Sequence, residues 1–401
     1  MALHRSALKR LDTAFHREVE AGRLPGAVLR VWHRGREAHR GLYGCQDPQA
    51  GTPMREDSVF RIYSMTKPMV SVALMMLVEE GRLRLRDPVA AHLPEFDAPS
   101  LGVLQRDARG RTRLRREPLP PTHPATPTVP LVHDLLRHTA GLTYGVFGHS
   151  PIKDAYLAAG VESGRLDNRA FSERLATLPL VAPPGTLWEY SRATDLVGAL
   201  IERLSGQTLG AFLQERLFEP LGLRDTAFHL PPSAHGRLAQ AFPTCPYTGA
   251  PVRLLDVSRP PVFESGGGGL VSTADDYVRF ARMLRDGGRW KSRRLLGRKT
   301  LELMTRDHLG PALIAASRVP GASTGYLPGP GYGFGLGFAV RVAAGEASVP
   351  GSVGDYHWSG LAGSFFWIDP VEDLAVVWMM QAPERRELQW ALLKSLVYAA
   401  L

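Results

Sequence analysis

Cysteine is scarce in this sequence. The 401 residues hold two, Cys45 and Cys245, too few and too far apart for a disulfide scaffold. They read as reduced and structural, with a single bridge between them left open. Metal-binding patterns are missing too. None of the 13 histidines stands in a His-x-His or His-Glu-x-x-His spacing, which argues against a zinc hydrolase. No Gly-x-Ser-x-Gly elbow occurs, so an α/β-hydrolase is not expected. Long hydrophobic runs are also lacking: the stretch Val70 to Val78 is too short to span a bilayer. The N-terminal residues have neither the apolar run nor the small-residue cleavage site of a signal peptide. A soluble, cytoplasmic protein without membrane contact is the expectation.

The charge is unbalanced: 48 Lys and Arg against 39 Asp and Glu, a net +9. The basic residues are mostly scattered arginines, densest from Arg106 to Arg116 in a stretch rich in Gly and Pro. No zinc-finger spacing, RNA-binding aromatic motif or basic helix accompanies them. The cluster reads as a solvated surface loop rather than a nucleic-acid interface. With 44% hydrophobic residues and 22% charged, the chain can bury a substantial core.

The pattern along the chain runs strands, helices, then strands and a helix. An amphipathic helix is predicted from Arg5 to Ala21, ended by Gly22. A hairpin follows, with strands at Gly26 to Arg34 and Glu37 to Tyr43. An apolar helix runs from Met65 to Glu80, ended by Gly81. Residues 97 to 128 read as a loop. Helical signals recur at Val132 to Arg137, Asn168 to Thr177, Ala193 to Leu204, Leu209 to Leu217 and Ala274 to Leu284. Strand signals return at Gly335 to Val342, Gly363 to Asp369 and Leu374 to Gln381, before a last helix at Glu384 to Leu401. Segregated strands and helices predict an α+β fold, an antiparallel sheet flanked by helices. Residues 1–84 and 256–401 would form the sheet domain, 85–255 a mainly helical insertion, and the active site would lie between them. No internal repeat is visible.

Three local patterns carry chemistry. In Phe60-Arg-Ile-Tyr-Ser64-Met-Thr-Lys67-Pro68, a serine opens an apolar helix and a lysine follows one turn later on the same face. The helix N-terminus favours an oxyanion at Ser64 and a neutral Lys67, and a desolvated lysine can act as base for the hydroxyl. Alone, the same pattern also fits an N-cap serine on a core helix. Pro184-Gly-Thr-Leu-Trp-Glu-Tyr190-Ser-Arg192 places a tyrosine just ahead of a helix, where it could relay protons or simply pack. His357-Trp358-Ser359-Gly360-Leu361 reads as a sheet strand with a glycine where something approaches the backbone closely.

Together these patterns resemble the serine β-lactamase-like superfamily: class C β-lactamases, D-Ala-D-Ala peptidases and, most closely, family VIII carboxylesterases. The resemblance implies a β-lactamase/transpeptidase-like fold. It makes Ser64 the nucleophile, Lys67 its assistant and Tyr190 the partner base. Trp358-Ser359-Gly360 matches the Lys/His/Trp-x-Gly strand motif, so the N–H groups of Leu361 and Ser64 would form the oxyanion hole. Further ordered blocks agree. They are Leu135-Leu-Arg-His138-Thr-Ala-Gly-Leu142 running on to Thr-Tyr-Gly145, Glu219-Pro-Leu-Gly-Leu-Arg-Asp-Thr226, and the glycine-rich turn Gly266 to Gly269. The similarity spans residues 20 to 400. His138 is expected to be structural.

Two departures bear on substrate. Arg192 stands where class C β-lactamases have Asn, and Trp358 where they have Lys; a tryptophan cannot pair with a substrate carboxylate as that lysine does. The Ser-Asp-Asn of class A enzymes is missing, and Lys299-Thr300 is not followed by Gly. The sequence therefore predicts a carboxylesterase that cleaves short-acyl esters through a Ser64 acyl-enzyme. No metal or organic cofactor is needed, and the partner is a small-molecule ester. Alternatives of the same fold are a β-lactamase or D-amino-acid peptidase, with weak action on activated β-lactams, and an acyltransferase. A non-catalytic binding protein is disfavoured because Ser64, Lys67 and Tyr190 are all present. Arg192 is a possible pocket residue, and segments 97–128 and 305–330 are expected to wall the pocket.

Overall fold

The computed structural model describes residues 3–120, 129–317, 329–384 and 386–401. Helix α1 (Arg5–Glu20) leads into strands β1 (Gly26–His33) and β2 (Arg36–Asp47), with β3 (Thr52–Pro53) beyond. Arg34 and Gly35 both take positive φ, +49° and +78°, as a tight hairpin turn demands. Strand β4 (Val59–Arg61) then delivers one 3-10 turn, Tyr63–Met65, that runs directly into α2 (Thr66–Glu79). A hairpin of β5 (Ser100–Arg106) and β6 (Thr112–Pro118) precedes a helical stretch. It comprises α3 (Val132–Leu136), α4 (Pro151–Ala158), α5 (Asn168–Ala176), α6 (Ala193–Ser205), α7 (Leu209–Leu213) and α8 (Glu219–Leu221).

Strand β7 (Val271–Thr273) pairs with β4 and opens α9 (Ala274–Arg285), whose N-cap Thr273 Oγ1 accepts the Asp276 N–H at 3.2 Å. A two-residue pair, β8 (Arg289–Trp290) and β9 (Arg293–Arg294), and helices α10 (Arg298–Met304) and α11 (Gly310–Ser317) follow. The chain finishes with β10 (Tyr332–Phe334), β11 (Ala339–Arg341), β12 (Tyr356–Ser359), β13 (Phe365–Asp369), β14 (Leu374–Met380) and α12 (Arg386–Tyr398).

Eight strands form one antiparallel sheet in the order β10-β11-β12-β13-β14-β1-β2-β3. Its centre joins the two ends of the chain: Ala27 sits opposite Met380 and His33 opposite Leu374. Strand β14 is buried along its whole length, which explains a run apolar at every position rather than alternate ones. Leu374, Val376, Trp378 and Met380 face α1 and α12 together with Leu29, Val31 and Trp367. Ala375, Val377 and Met379 face the larger core with α2, α6 and α9. No helix among the described residues is long and apolar enough to cross a membrane.

The structure corrects three sequence readings. Residues 100–118, expected to be a loop, pair as a hairpin, from Ser100 opposite Pro118 to Arg106 opposite Thr112. Asp107 ties its turn by accepting the N–H groups of Arg109 and Arg111, each at 2.9 Å, and the Gly102 N–H donates to Leu180 O at 2.8 Å. Residues 121–128 lie outside the described residues. The strand expected at Gly335 to Val342 shrinks to β11, Ala339–Arg341, with β10 ending before it at Phe334, because the Gly335 N–H turns back to Phe338 O. The helix expected from Leu209 to Leu217 changes to a π segment at Gln214–Phe218 before α8.

Candidate active site

Ser64 lies in the 3-10 turn that opens α2, so its N–H is one of the unpaired donors of a helix start. Tyr63 before it has φ +45°. That conformation strains a non-glycine residue by roughly 1–2 kcal/mol and turns Ser64 out of the β4 direction. Tyr63 is pinned at its far end, where its hydroxyl accepts the Leu255 N–H at 2.9 Å.

The structure brings the three sequence-predicted reactive side chains together. Tyr190 Oη donates to Ser64 Oγ at 2.7 Å, and Lys67 Nζ donates to the same oxygen at 3.2 Å. Lys67 Nζ also lies 4.6 Å from the centre of the Tyr190 ring. Its other partners are Tyr144 Oη at 3.1 Å and Gly267 O at 2.6 Å. Lys67 is fully buried. Burial brings its pKa down to about 7; the Asp195 carboxylate opposes that shift and Arg192 adds to it. A lysine this near neutrality can give up and regain its proton at ordinary pH.

Trp358 and Ser359 end β12. A Cβ added to Gly360 would stand 2.4 Å from Ile62 O, so only glycine lets this strand end abut the chain entering Ser64. Among the described residues, the N–H groups of Ser64 and Leu361 have no hydrogen-bond acceptor. Both residues line the two cavities that meet at Ser64. Trp358 packs its ring 5.5 Å from Tyr190 and 5.2 Å from Phe334.

Arg192 is buried against Glu162 at 2.7 Å and Asp195 at 3.0 Å. Burial works against its charge, but Asp195 and Glu162 outweigh it and raise its pKa. It therefore turns neither to solvent nor freely into the cleft. It lies behind the Tyr144 ring, 5.2 Å from its centre, and lines one cavity. His138 is buried under Trp188, Tyr190 and Phe334. Burial, with Lys67 nearby, holds it neutral, well below its ordinary pKa. Its Nδ1 reaches Ser191 Oγ at 3.2 Å, not Ser64.

Sequence reasoning did not single out Tyr144, Phe147, Gly267 or Asp195 as site residues. Tyr144 and Gly267 sat inside the blocks that carried the resemblance. Phe147 stands 6.2 Å from Tyr190, nearly parallel to it, and lines both cavities. The smaller cavity, about 310 Å³, is walled by Phe147, Tyr190, Trp358 and Trp390. The larger, about 520 Å³, is walled by Tyr144, Phe147, Phe228, Leu255 and Phe263. Described residues of the 97–120 segment line neither cavity; of segment 305–330, Gly329 does, and residues 318–328 lie outside the described set. Among the described residues no group of three or more His, Cys, Asp or Glu is arranged to hold a metal.

Ser64 at a helix start, with Tyr190 and Lys67 on its hydroxyl oxygen and two N–H groups unpaired among the described residues, makes up the candidate site on a sheet flanked by helices. The chain belongs to the Beta-lactamase family, whose model matches residues 11–397. Protein Rv1367c of Mycobacterium tuberculosis is 37% identical over 384 residues, 91% of this chain and 88% of that one. Esterase EstB of Burkholderia gladioli is 32% identical over 390 residues, 93% of this chain and 90% of its own. Among solved structures, EstCE1, described as a hydrolase with promiscuous acyltransferase activity, superposes with a TM-score of 0.80. It is 26% identical and covers 98% of this chain and 99% of its own. The fold is β-lactamase/transpeptidase-like.

Proposed function

We propose that this protein is a serine hydrolase, a carboxylesterase that works through a Ser64 acyl-enzyme. The observation that carries the reading is the convergence of Tyr190 Oη and Lys67 Nζ on Ser64 Oγ. As Ser64 Oγ attacks the ester carbonyl carbon, its proton passes to the Lys67–Tyr190 pair. The carbonyl oxygen becomes an oxyanion facing the Ser64 and Leu361 N–H groups, each of which contributes roughly 3 kcal/mol to such a transition state. Collapse breaks the bond to the leaving alkoxide, which takes the proton from Tyr190. Water, deprotonated by the same pair, then releases the acid. The likeness to EstB, an esterase by name, supports this assignment.

The partner is a small-molecule ester. Trp358 offers an indole in place of a cation, so a substrate carboxylate gains no point charge there; this favours esters over β-lactams. Acyl transfer to an alcohol remains the second reading, favoured by the likeness to EstCE1. A cytoplasmic location fits Cys45 and Cys245, both free thiols.

Hydrolysis of p-nitrophenyl acetate, butyrate and octanoate beside nitrocefin, for wild type and Ser64→Ala, tests this. Short esters should turn over, nitrocefin should be slow, and Ser64→Ala should lose nearly all activity. Wild-type rates in Ser64→Ala would end the nucleophile assignment. Faster nitrocefin hydrolysis would make the protein a β-lactamase.

A further inference from the structure

Among the described residues Lys67 makes no direct ion pair with a carboxylate, yet it stands in a closed circuit of contacts. Its Nζ donates to Gly267 O at 2.6 Å. The N–H of Gly267 donates to Asp195 Oδ1 at 2.9 Å, and Ser265 Oγ donates to the same oxygen at 2.5 Å. Asp195 Oδ2 accepts from Arg192 Nη1 at 3.0 Å. The Arg192 guanidinium covers the Tyr144 ring, and Tyr144 Oη returns to Lys67 Nζ at 3.1 Å. The circuit is tight: a Cβ on Gly267 would lie 2.6 Å from Asp195 Oδ2, and one on Gly266 would lie 2.6 Å from Thr194 O. Asp195 and Lys67 are each about 1% exposed, so water does not screen one from the other.

We propose that Asp195, with its ion-pair partner Arg192, is a positioning residue that aims Lys67 Nζ at Ser64 Oγ through the carbonyl of Gly267. The inference rests on the assignment of Ser64 as nucleophile. Asp195 acts through the backbone. It fixes the 265–267 turn, and the turn fixes the lysine. Arg192 closes the other side by backing Tyr144, so the ammonium or amine has one geometry open to it. The titratable groups facing Lys67 are Tyr144, Tyr190, His138, Asp195 and Arg192, with Glu162 behind Arg192. Of these, Asp195 favours the lysine's proton, and Arg192 disfavours it.

The test is a pH profile of kcat/KM for p-nitrophenyl butyrate in wild type, Asp195→Asn, Arg192→Gln and the double variant. Thermal melts confirm that each is folded. Asparagine keeps an acceptor for Gly267 and loses the charge. Asp195→Asn should lower kcat about 10- to 100-fold, the range of small misplacements at a reacting centre, with KM little changed. Its acid limb should move to lower pH, because the lysine loses a favourable charge. Arg192→Gln should move the limb to higher pH, and the double variant should return it towards wild type. A folded Asp195→Asn with unchanged kcat and an unmoved limb would overturn the inference. Labelling by a fluorophosphonate, read as a Ser64 adduct by mass spectrometry, separates the two failures. An intact adduct with an unmoved limb removes only the role of Asp195. A folded wild type that forms no adduct removes the nucleophile and this inference with it.

Discussion

Lys67 carries its charge on sufferance. Among its polar contacts are a tyrosine hydroxyl and a backbone carbonyl, and burial brings its pKa to about 7. The neutral amine is the form that can take a proton from Ser64. Ester hydrolysis should therefore rise with pH through about 7, read as the acid limb of kcat/KM with a substrate that does not titrate. Lys67→Arg fixes the charge, since a guanidinium does not deprotonate. It should reduce kcat by about 10²- to 10⁴-fold, the usual contribution of a positioned base. The same burial has a stability consequence of definite sign. The unfolded lysine holds its proton up to about 10.5 and the folded one only to about 7, so stability rises with pH across that window. Below it the full penalty applies. Lys67→Met should melt at higher temperature than wild type at pH 6, with the gain shrinking towards pH 10. At this scale the sequence was informative. Ser64 and Lys67 are three residues apart, and helix geometry alone puts them on one face. Tyr144 was not legible as a partner because it meets Lys67 from 77 residues away, a pairing set by the packing of α2 against the helical region.

Long elements with one-sided or complete burial, such as α1 and β14, were read correctly from the sequence, whereas the fully buried three-residue strands β4, β7 and β10 were not. Helix α1 keeps Leu8, Leu11 and Phe15 on its buried face, and β14 is apolar throughout. The β5–β6 hairpin was not legible because its register is held by backbone ladders and an aspartate-tied turn. Its side chains are mostly exposed, and a single leucine, Leu114, among the arginines of β6 leaves no apolar period to read. Helix α4 was missed although it has a clear start, with Ser150 accepting the Lys153 N–H and Pro151 at the first position. Eight residues give too short a period to stand out. The strand end at Gly360 shows how an element serves the site. Gly360→Ala puts a methyl group 2.4 Å from Ile62 O and must push Leu361 away from Ser64. It should lower kcat about 10²-fold or more, as loss of one oxyanion donor does. Circular dichroism should still report the wild-type fold.

At the scale of the whole molecule, the centre of the sheet is where strands from the two ends of the chain meet. Trp378 on β14 lies 4.5 Å from the Phe15 ring of α1 and 5.8 Å from Tyr43 of β2, with no exposed surface. Trp378→Ala should cost about 3–5 kcal/mol, seen as a lower denaturant midpoint with an unchanged slope. The pairing of β1 with β14 also sets an order of events on the ribosome. Ala27 must wait for Met380, and elongation at about 5–20 residues per second leaves β1 without that neighbour for on the order of 20 to 70 s. For that interval β1 can pair only with β2, and the edge that will become the centre of the sheet is open. The nascent chain is thus exposed to mispairing for nearly its whole synthesis, and its yield in cells should depend on chaperone supply far more than the stability of the finished protein suggests.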